Sequence, residues 1–334
     1  MPSLRTPLTR QLGIDVPVVQ APIGSATSPA LAAAVAEAGG LGTLAVTWRD
    51  PADVPAAVAA TRRRTDGPVG ANVVVDPGAT ATPTDALVDA CLDAGVDVLS
   101  LSFGDATPYV GRAHDAGVDV WVTVGSAAEA QEAVAAGADV VVTQGVEAGG
   151  HLQSDVSTMA LVPRVVDAVD VPVVAAGGIG DGRGLAAVLA LGADAGWLGT
   201  RFVATEEARA HTRYRRRIVS AAETDTVSGT PFDEGWPDVP HRVLRNATVD
   251  EWDARGRPPR GERPGEGDVV ARVDGTDVRR YEDSLASPEA TGDVEALPLY
   301  AGQSSGLVSD VRPAETVVER LVTEAREALR SLPG

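Results

Sequence analysis

The chain has 334 residues, 44% of them hydrophobic, and a mean hydropathy of +0.02, which fits one large or two smaller globular domains rather than a membrane protein. Its net charge is −19, from 47 acidic and 28 basic residues, and every base is arginine. A field of that sign repels phosphate and argues against general nucleic-acid binding. The single Cys91 excludes an intramolecular disulfide and a cysteine-based zinc site. The apolar runs break well short of the ~20 residues a membrane helix needs. The opening MPSLRTPLTRQLGID lacks a signal-peptide core, so a cytoplasmic location is expected. The acidic, lysine-free composition predicts a halophilic source, in which molar salt screens the self-repulsion. Aromatics make up only 4%, so the core must rest on Ala, Val and Leu.

From Val16 to about His211, short β-branched runs alternate with alanine-rich helical stretches. The predicted strands are VPVVQAP (16–22), LGTLAV (41–46), VGANVVV (69–75), VDVLSLS (96–102), VDVWVTV (118–124), ADVVVT (138–143), VPVVAAGG (171–178) and ADAGWLG (193–199). Helical patterns such as SPALAAAVAEAGG and SAAEAQEAVAAGA lie between them, several ending in glycine. Continuous apolar strands mark a parallel sheet buried on both faces. Eight such units predict an α/β fold, a (β/α)8 TIM barrel. A doubly wound open sheet is the rival, weakened because no GxGxxG follows the first strand.

The rhythm stops after Tyr214. Residues 212–297, rich in Arg, Asp, Glu, Pro and Gly, read as an inserted mixed helical and loop domain covering the C-terminal face of the barrel. Residues 1–211 and 298–334 then form the barrel, ending in an amphipathic helix, AETVVERLVTEAREALR.

Three strands open into glycine. VVVTQGVEAGGH ends at His151, VPVVAAGGIGDGRG carries Gly177 and Gly178, and DAGWLGTRF carries Gly199 and Thr200. Glycine lets a backbone approach a ligand closely and turns N–H groups toward phosphate. The last two turns fall where barrels commonly hold phosphate, although tight turns alone would also use glycine. A lone histidine is more often structural, but His151 follows Gly149 and Gly150 at the ligand end of a strand. An imidazole with a near-neutral pKa there can move a proton or, when charged, hold an anion. His114, His211 and His241 lack that setting and read as structural. Asn72 and Gln144 are amides at strand ends, where a loop-capping role is the ordinary one.

The segments QAPIGSATSPALAAAVAEAGGLGTL, GANVVV, QGVEAGGH, PVVAAGGIGDGRG, LGTRFVATEEARAH and YAGQSSGL together resemble the nitronate monooxygenase family, formerly the 2-nitropropane dioxygenases. The resemblance implies an FMN-dependent barrel that oxidises alkyl nitronates with O2 to carbonyl compounds and nitrite, with no metal. It implies His151 as base or orienting group. It places Ala21, Pro22, Ile23, Asn72, Gln144, Gly149, Gly177, Gly178, Gly199 and Thr200 against FMN. Ile23 stands where the family commonly has Met, and Trp197 where relatives often carry a smaller or polar residue. Tyr300, Gln303 and Ser304 match a segment on the substrate side. PFDEGWPDVPHRVLRN (231–246) resembles a subgroup, with Trp236 either a lid over the pocket or an exposed aromatic packing the insertion. FMN-dependent NAD(P)H:quinone reductases and enoyl-acyl-carrier-protein reductases share much of this pattern, and a non-enzymatic flavin-binding protein is a third reading. The expected partners are a small-molecule nitronate and O2; a homodimer is compatible with the barrel helices, but no motif demands one.

Overall fold

The structure is a computed structural model that describes residues 3–331; the outermost residues of the two barrel segments lie outside that range. Eight parallel strands close into a barrel: β1 (Val18–Gln20), β2 (Leu41–Ala45), β3 (Val69–Val74), β4 (Val98–Ser102), β5 (Asp119–Val124), β6 (Val140–Gln144), β8 (Val173–Ala176) and β9 (Ala195–Leu198). Pairing of Val19 with Trp197 seals β1 to β9. Seven lie within predicted runs and β6 extends one residue past its run, to Gln144, so the barrel was legible in the sequence and the open sheet is excluded. The missing number, β7 (Gly150–His151), is a short strand outside the barrel that follows β6.

The strands form because Val, Leu and Ala fill both faces. Inside the barrel Leu8, Val19, Leu41, Val98, Trp121, Val140 and Val174 are buried together. Each such aliphatic side chain contributes about 1.5–3 kcal/mol. Leu8 comes from α1 (Pro7–Leu12), which packs against this interior cluster. Outside, the helices pack their apolar stripes on the strands: α2 (Pro29–Glu37), α3 (Val54–Arg62), α4 (Thr84–Asp93), α5 (Thr107–Asp115), α6 (Ala127–Ala135), α7 (Thr158–Val166), α8 (Gly182–Ala190) and the short α9 (Thr200–Val203). One contact is close enough to demand glycine. A Cβ on Gly42 would lie 2.0 Å from the Ala32 carbonyl oxygen, so β2 and α2 meet at backbone distance.

The insertion departs from its expected helix-and-loop make-up. It holds α10 (Thr212–Val219) and α11 (Ala247–Ala254), but also β10 (Thr226–Gly229), β11 (His241–Leu244), β12 (Val269–Val273), β13 (Thr276–Arg279) and β14 (Thr291–Gly292). β11 lies between β10 and β7 in one antiparallel sheet, and β12 lies between β13 and β14 in another. Strands of two to five residues are too short to show alternation in sequence, and β7 is supplied from outside the insertion. The chain closes with α12 (Ala314–Ser331), whose Val317, Val318, Leu321, Val322 and Ala325 are buried, as the amphipathic pattern predicts. Among the described residues no helix is long and apolar enough to cross a membrane.

Candidate active site

A cavity of about 360 Å³ opens at the C-terminal ends of the barrel strands, the end at which such barrels carry their chemistry. Of the residues singled out in the sequence, all but Gln303 line it, with Trp197 and Trp236 among them. Gln303 is exposed, and only its backbone N–H takes part, donating to the Glu147 carbonyl.

One wall is a glycine turn after β8. Gly177 and Gly178 have φ of 101° and 73°, a region that favours glycine. A Cβ on Gly177 would crowd the Gly145 carbonyl oxygen at 3.0 Å and the Ala148 nitrogen at 3.1 Å. Among the described residues, the N–H groups of Gly178 and Ile179 find no acceptor. The first turn of α8 is already occupied: Asp181 accepts from Arg183 and Gly184, and Glu324 accepts from Gly182. The free donors therefore lie in the loop before the helix. Thr200 and Ser304 add hydroxyl groups to the lining, with the Thr200 hydroxyl also accepting from the Gly302 N–H at 2.9 Å. The two amides differ. Gln144 is committed: its Nε2 donates to the His151 carbonyl at 3.1 Å and its Oε1 accepts from the Gln153 N–H at 2.7 Å. It clamps the loop that carries His151. Asn72 donates through Nδ2 to Ser100 and Ser102, and among the described residues nothing donates to its Oδ1.

The opposite wall centres on His151. Its backbone pairs with His241 across β7 and β11, and β11 in turn bridges Tyr300 through Val243. The insertion thus fixes both side chains. Close approach of Gly149 to Gly302 locks the same loop, since a Cβ there would lie 2.4 Å from the Gly302 nitrogen. The His151 ring lies 4.2 Å from Trp236 and 5.4 Å from Tyr300, centroid to centroid. Its Nε2 is buried without a hydrogen-bond partner, and the Asp283 Oδ2 lies 3.7 Å away. The Tyr300 hydroxyl donates to the other Asp283 oxygen at 2.7 Å. Burial pushes the His151 pKa down to about 3. The near-neutral value expected from sequence is therefore wrong for this site: apolar rings strip water from the imidazole and disfavour its charged form. Burial pushes the Asp283 carboxyl up, against the Tyr300 hydrogen bond and the field of His241. His241 is held neutral and in one orientation, its Nδ1 donating to the Val239 carbonyl and its Nε2 accepting from the Phe232 N–H. It packs 5.4 Å from His151, so it shapes the site although it follows no strand end that flags a ligand. His114 pairs with Asp139 and His211 caps α10.

Trp236 is 1% exposed, which removes the surface-aromatic alternative; its indole N–H donates to Asp76 at 2.8 Å. Sequence reasoning missed Asp283, Phe103 and Trp48, which also line the cavity. Phe103 and Trp48 stand just past β4 and β2, and that position was an available signal. Among the described residues no His, Cys, Asp or Glu cluster could hold a metal.

The nitronate monooxygenase family model matches residues 5–324. This chain belongs to that family. Over 96% of each chain it is 33% identical to (3aS,4S,5R,7aS)-5-hydroxy-7a-methyl-1-oxo-octahydro-1H-indene-4-carboxyl-CoA dehydrogenase of Mycobacterium tuberculosis. Its structure is similar to FabK from Thermotoga maritima, with TM-score 0.83, 33% identity, and 98% of this chain and 97% of the other covered. It is also similar to nitroalkane oxidase from Streptomyces ansochromogenes, with TM-score 0.81, 32% identity, and coverage of 98% and 100%. The protein is thus an oxidoreductase of the nitronate monooxygenase family.

Proposed function

We propose that this nitronate monooxygenase family member is FMN-dependent and oxidises alkyl nitronates with O2 to carbonyl compounds and nitrite. The observation that carries the reading is the buried, unpartnered Nε2 of His151, a residue that lines the cavity together with a glycine turn whose N–H groups are free. The lining fits the flavin that the resemblance implies. Gly177, Gly178, Ile179 and the Thr200 hydroxyl would hold the phosphate, and Asn72 Oδ1 would accept from the ring edge. Ala21, Pro22, Ile23 and Ala176 would line its apolar face. When bound, FMN would supply the electron transfer between nitronate and O2.

The rest falls to the chain's own side chains. Burial keeps the His151 imidazole neutral at neutral pH, so its Nε2–H tautomer would donate to a nitronate oxygen without a charged partner. An arriving anion raises the imidazole pKa, which brings proton transfer at Nε2 within reach. Tyr300 holds Asp283 in place through its hydroxyl, and Trp236 with Phe103 excludes water from that end.

A second reading, oxidation of a hydroxyl-bearing carbon, is favoured by one observation. Asp283 beside His151 makes an imidazole–carboxyl pair suited to taking a hydroxyl proton, and the Mycobacterium relative is named as a dehydrogenase of a hydroxylated carboxyl-CoA. The test is to supply the FMN-loaded protein with ethyl nitronate in air and assay nitrite and acetaldehyde. Release of both supports the first reading. No release, with flavin bleaching by a hydroxyacyl-CoA, replaces it with the second.

A further inference from the structure

We propose that the substrate end of the cavity is built for a bulky, uncharged hydrocarbon group, preferably a ring, on the carbon bearing the nitro group, and rejects substrates with a second anion such as a carboxylate. This rests on the nitronate reading for the reacting group and adds what must lie beyond it.

The first observation is how the chain spends its aromatics. It has twelve: five Trp, four Tyr and three Phe. Five of them, Trp48, Phe103, Trp197, Trp236 and Tyr300, line this cavity. Trp197 tilts against Trp121 in the barrel interior, 5.9 Å away, and belongs to the floor. Phe103, Trp236 and Tyr300 gather around His151. Phe103 meets Trp236 edge-on at 4.7 Å, and Trp48 stands 6.2 Å from Trp236. They come from separate loops, after β2, after β4 and from the insertion. Phe103 is held there at a φ of 58°, a left-handed conformation that strains a non-glycine residue. Trp48 remains 51% exposed at the mouth, although its indole N–H is bonded to the Ala79 carbonyl. A wall of rings with one large face in water is the surface an apolar group would cover.

The second observation is charge. Among the described residues no arginine lines the cavity, and its acidic side chains are Glu147 and Asp283. Glu147 is tied to the Thr158 N–H and hydroxyl. Asp283 lies 3.7 Å from the His151 Nε2 and accepts from the Tyr300 hydroxyl, with Ser284 and Leu285 following it along the wall. A single delocalised nitronate can be held by neutral donors. A further carboxylate would lose its water, find no counterion and meet like charge.

The test is anaerobic calorimetry on the FMN-loaded protein with the preformed nitronates of nitrocyclohexane and 3-nitropropionate, which needs no turnover with O2. Nitrocyclohexane should bind about tenfold more tightly or better. Asp283→Asn, which keeps an acceptor for Tyr300, should strengthen 3-nitropropionate and narrow the ratio. Phe103→Leu and Trp236→Leu should weaken nitrocyclohexane alone. Equal or tighter binding of 3-nitropropionate by the unaltered protein overturns the inference, whether or not nitronates are oxidised. So does a ratio that none of the three substitutions moves. If the ring is preferred but no nitronate is turned over, the inference about the pocket holds and the proposed activity fails.

Discussion

At the scale of the residue, the account rests on a histidine that is neutral because it is dry. With its pKa near 3, His151 has no inflection of its own between pH 5 and 8 in the free protein. The kcat/KM profile for a preformed nitronate should therefore be flat across that range. His151→Asn should lower turnover by about a hundredfold or more while leaving bound FMN in place, measured by nitrite release against the flavin spectrum. Stability follows the same group with a definite sign. The folded pKa values of His151 and His241, about 3 and about 4, lie below the ordinary histidine value of 6.5. The unfolded chain therefore binds more protons between those limits, and the stabilisation present above 6.5 is lost as pH falls toward 4 and then 3. Asp283, raised by burial, works in the opposite sense above 3.8, but it is one group against two. Urea midpoints from pH 7 to 4 should fall, and less steeply in His241→Asn. His151 was legible because glycines and a strand end flagged it. Asp283 was not, because its neighbourhood is assembled from distant chain segments and YEDSLAS reads as an ordinary polar loop.

At the scale of the element, β11 and the insertion's charge cluster hold the site together. β11 pairs with β7 along one edge and meets Tyr300 through Val243, so two short strands aim the side chains that matter. Arg263, its side chain 2% exposed, binds Asp233, Glu234 and Glu266 and stacks 4.3 Å over Tyr281. Glu234 in turn accepts the Asp283 N–H on its backbone oxygen. Arg263→Met should leave three carboxylates without their partner and cost about 3–5 kcal/mol, read by denaturant unfolding. Trp236 fluorescence should shift before the barrel melts. Gly149→Ala should cost about 1–3 kcal/mol by forcing the His151 loop away from Gly302, visible as a lower Tm. Barrel strands were readable because continuous Val-rich runs alternate with alanine-rich helices. The insertion's strands were not, since stretches of four residues such as TVSG are too short to show a period and acquire strand geometry only from their partners.

At the scale of the whole molecule, the eight-stranded barrel supplies a rigid end on which loops and insertion build the chemistry. The charge of −19 acts on everything at once. It repels the FMN phosphate, and no arginine in the cavity offsets it. Raising KCl should therefore tighten FMN binding and raise the unfolding midpoint, opposite to a site held by ion pairs. Titration of flavin fluorescence at low and molar salt checks this. The most direct test of the central claim is anaerobic stopped-flow absorbance of the FMN-loaded protein, mixed separately with ethyl nitronate and with NADH or NADPH. The account predicts a rapid flavin response to the nitronate alone, abolished in His151→Asn, with nitrite released once O2 is admitted. Full bleaching by a nicotinamide with no response to the nitronate would contradict it and place the protein among the reductases.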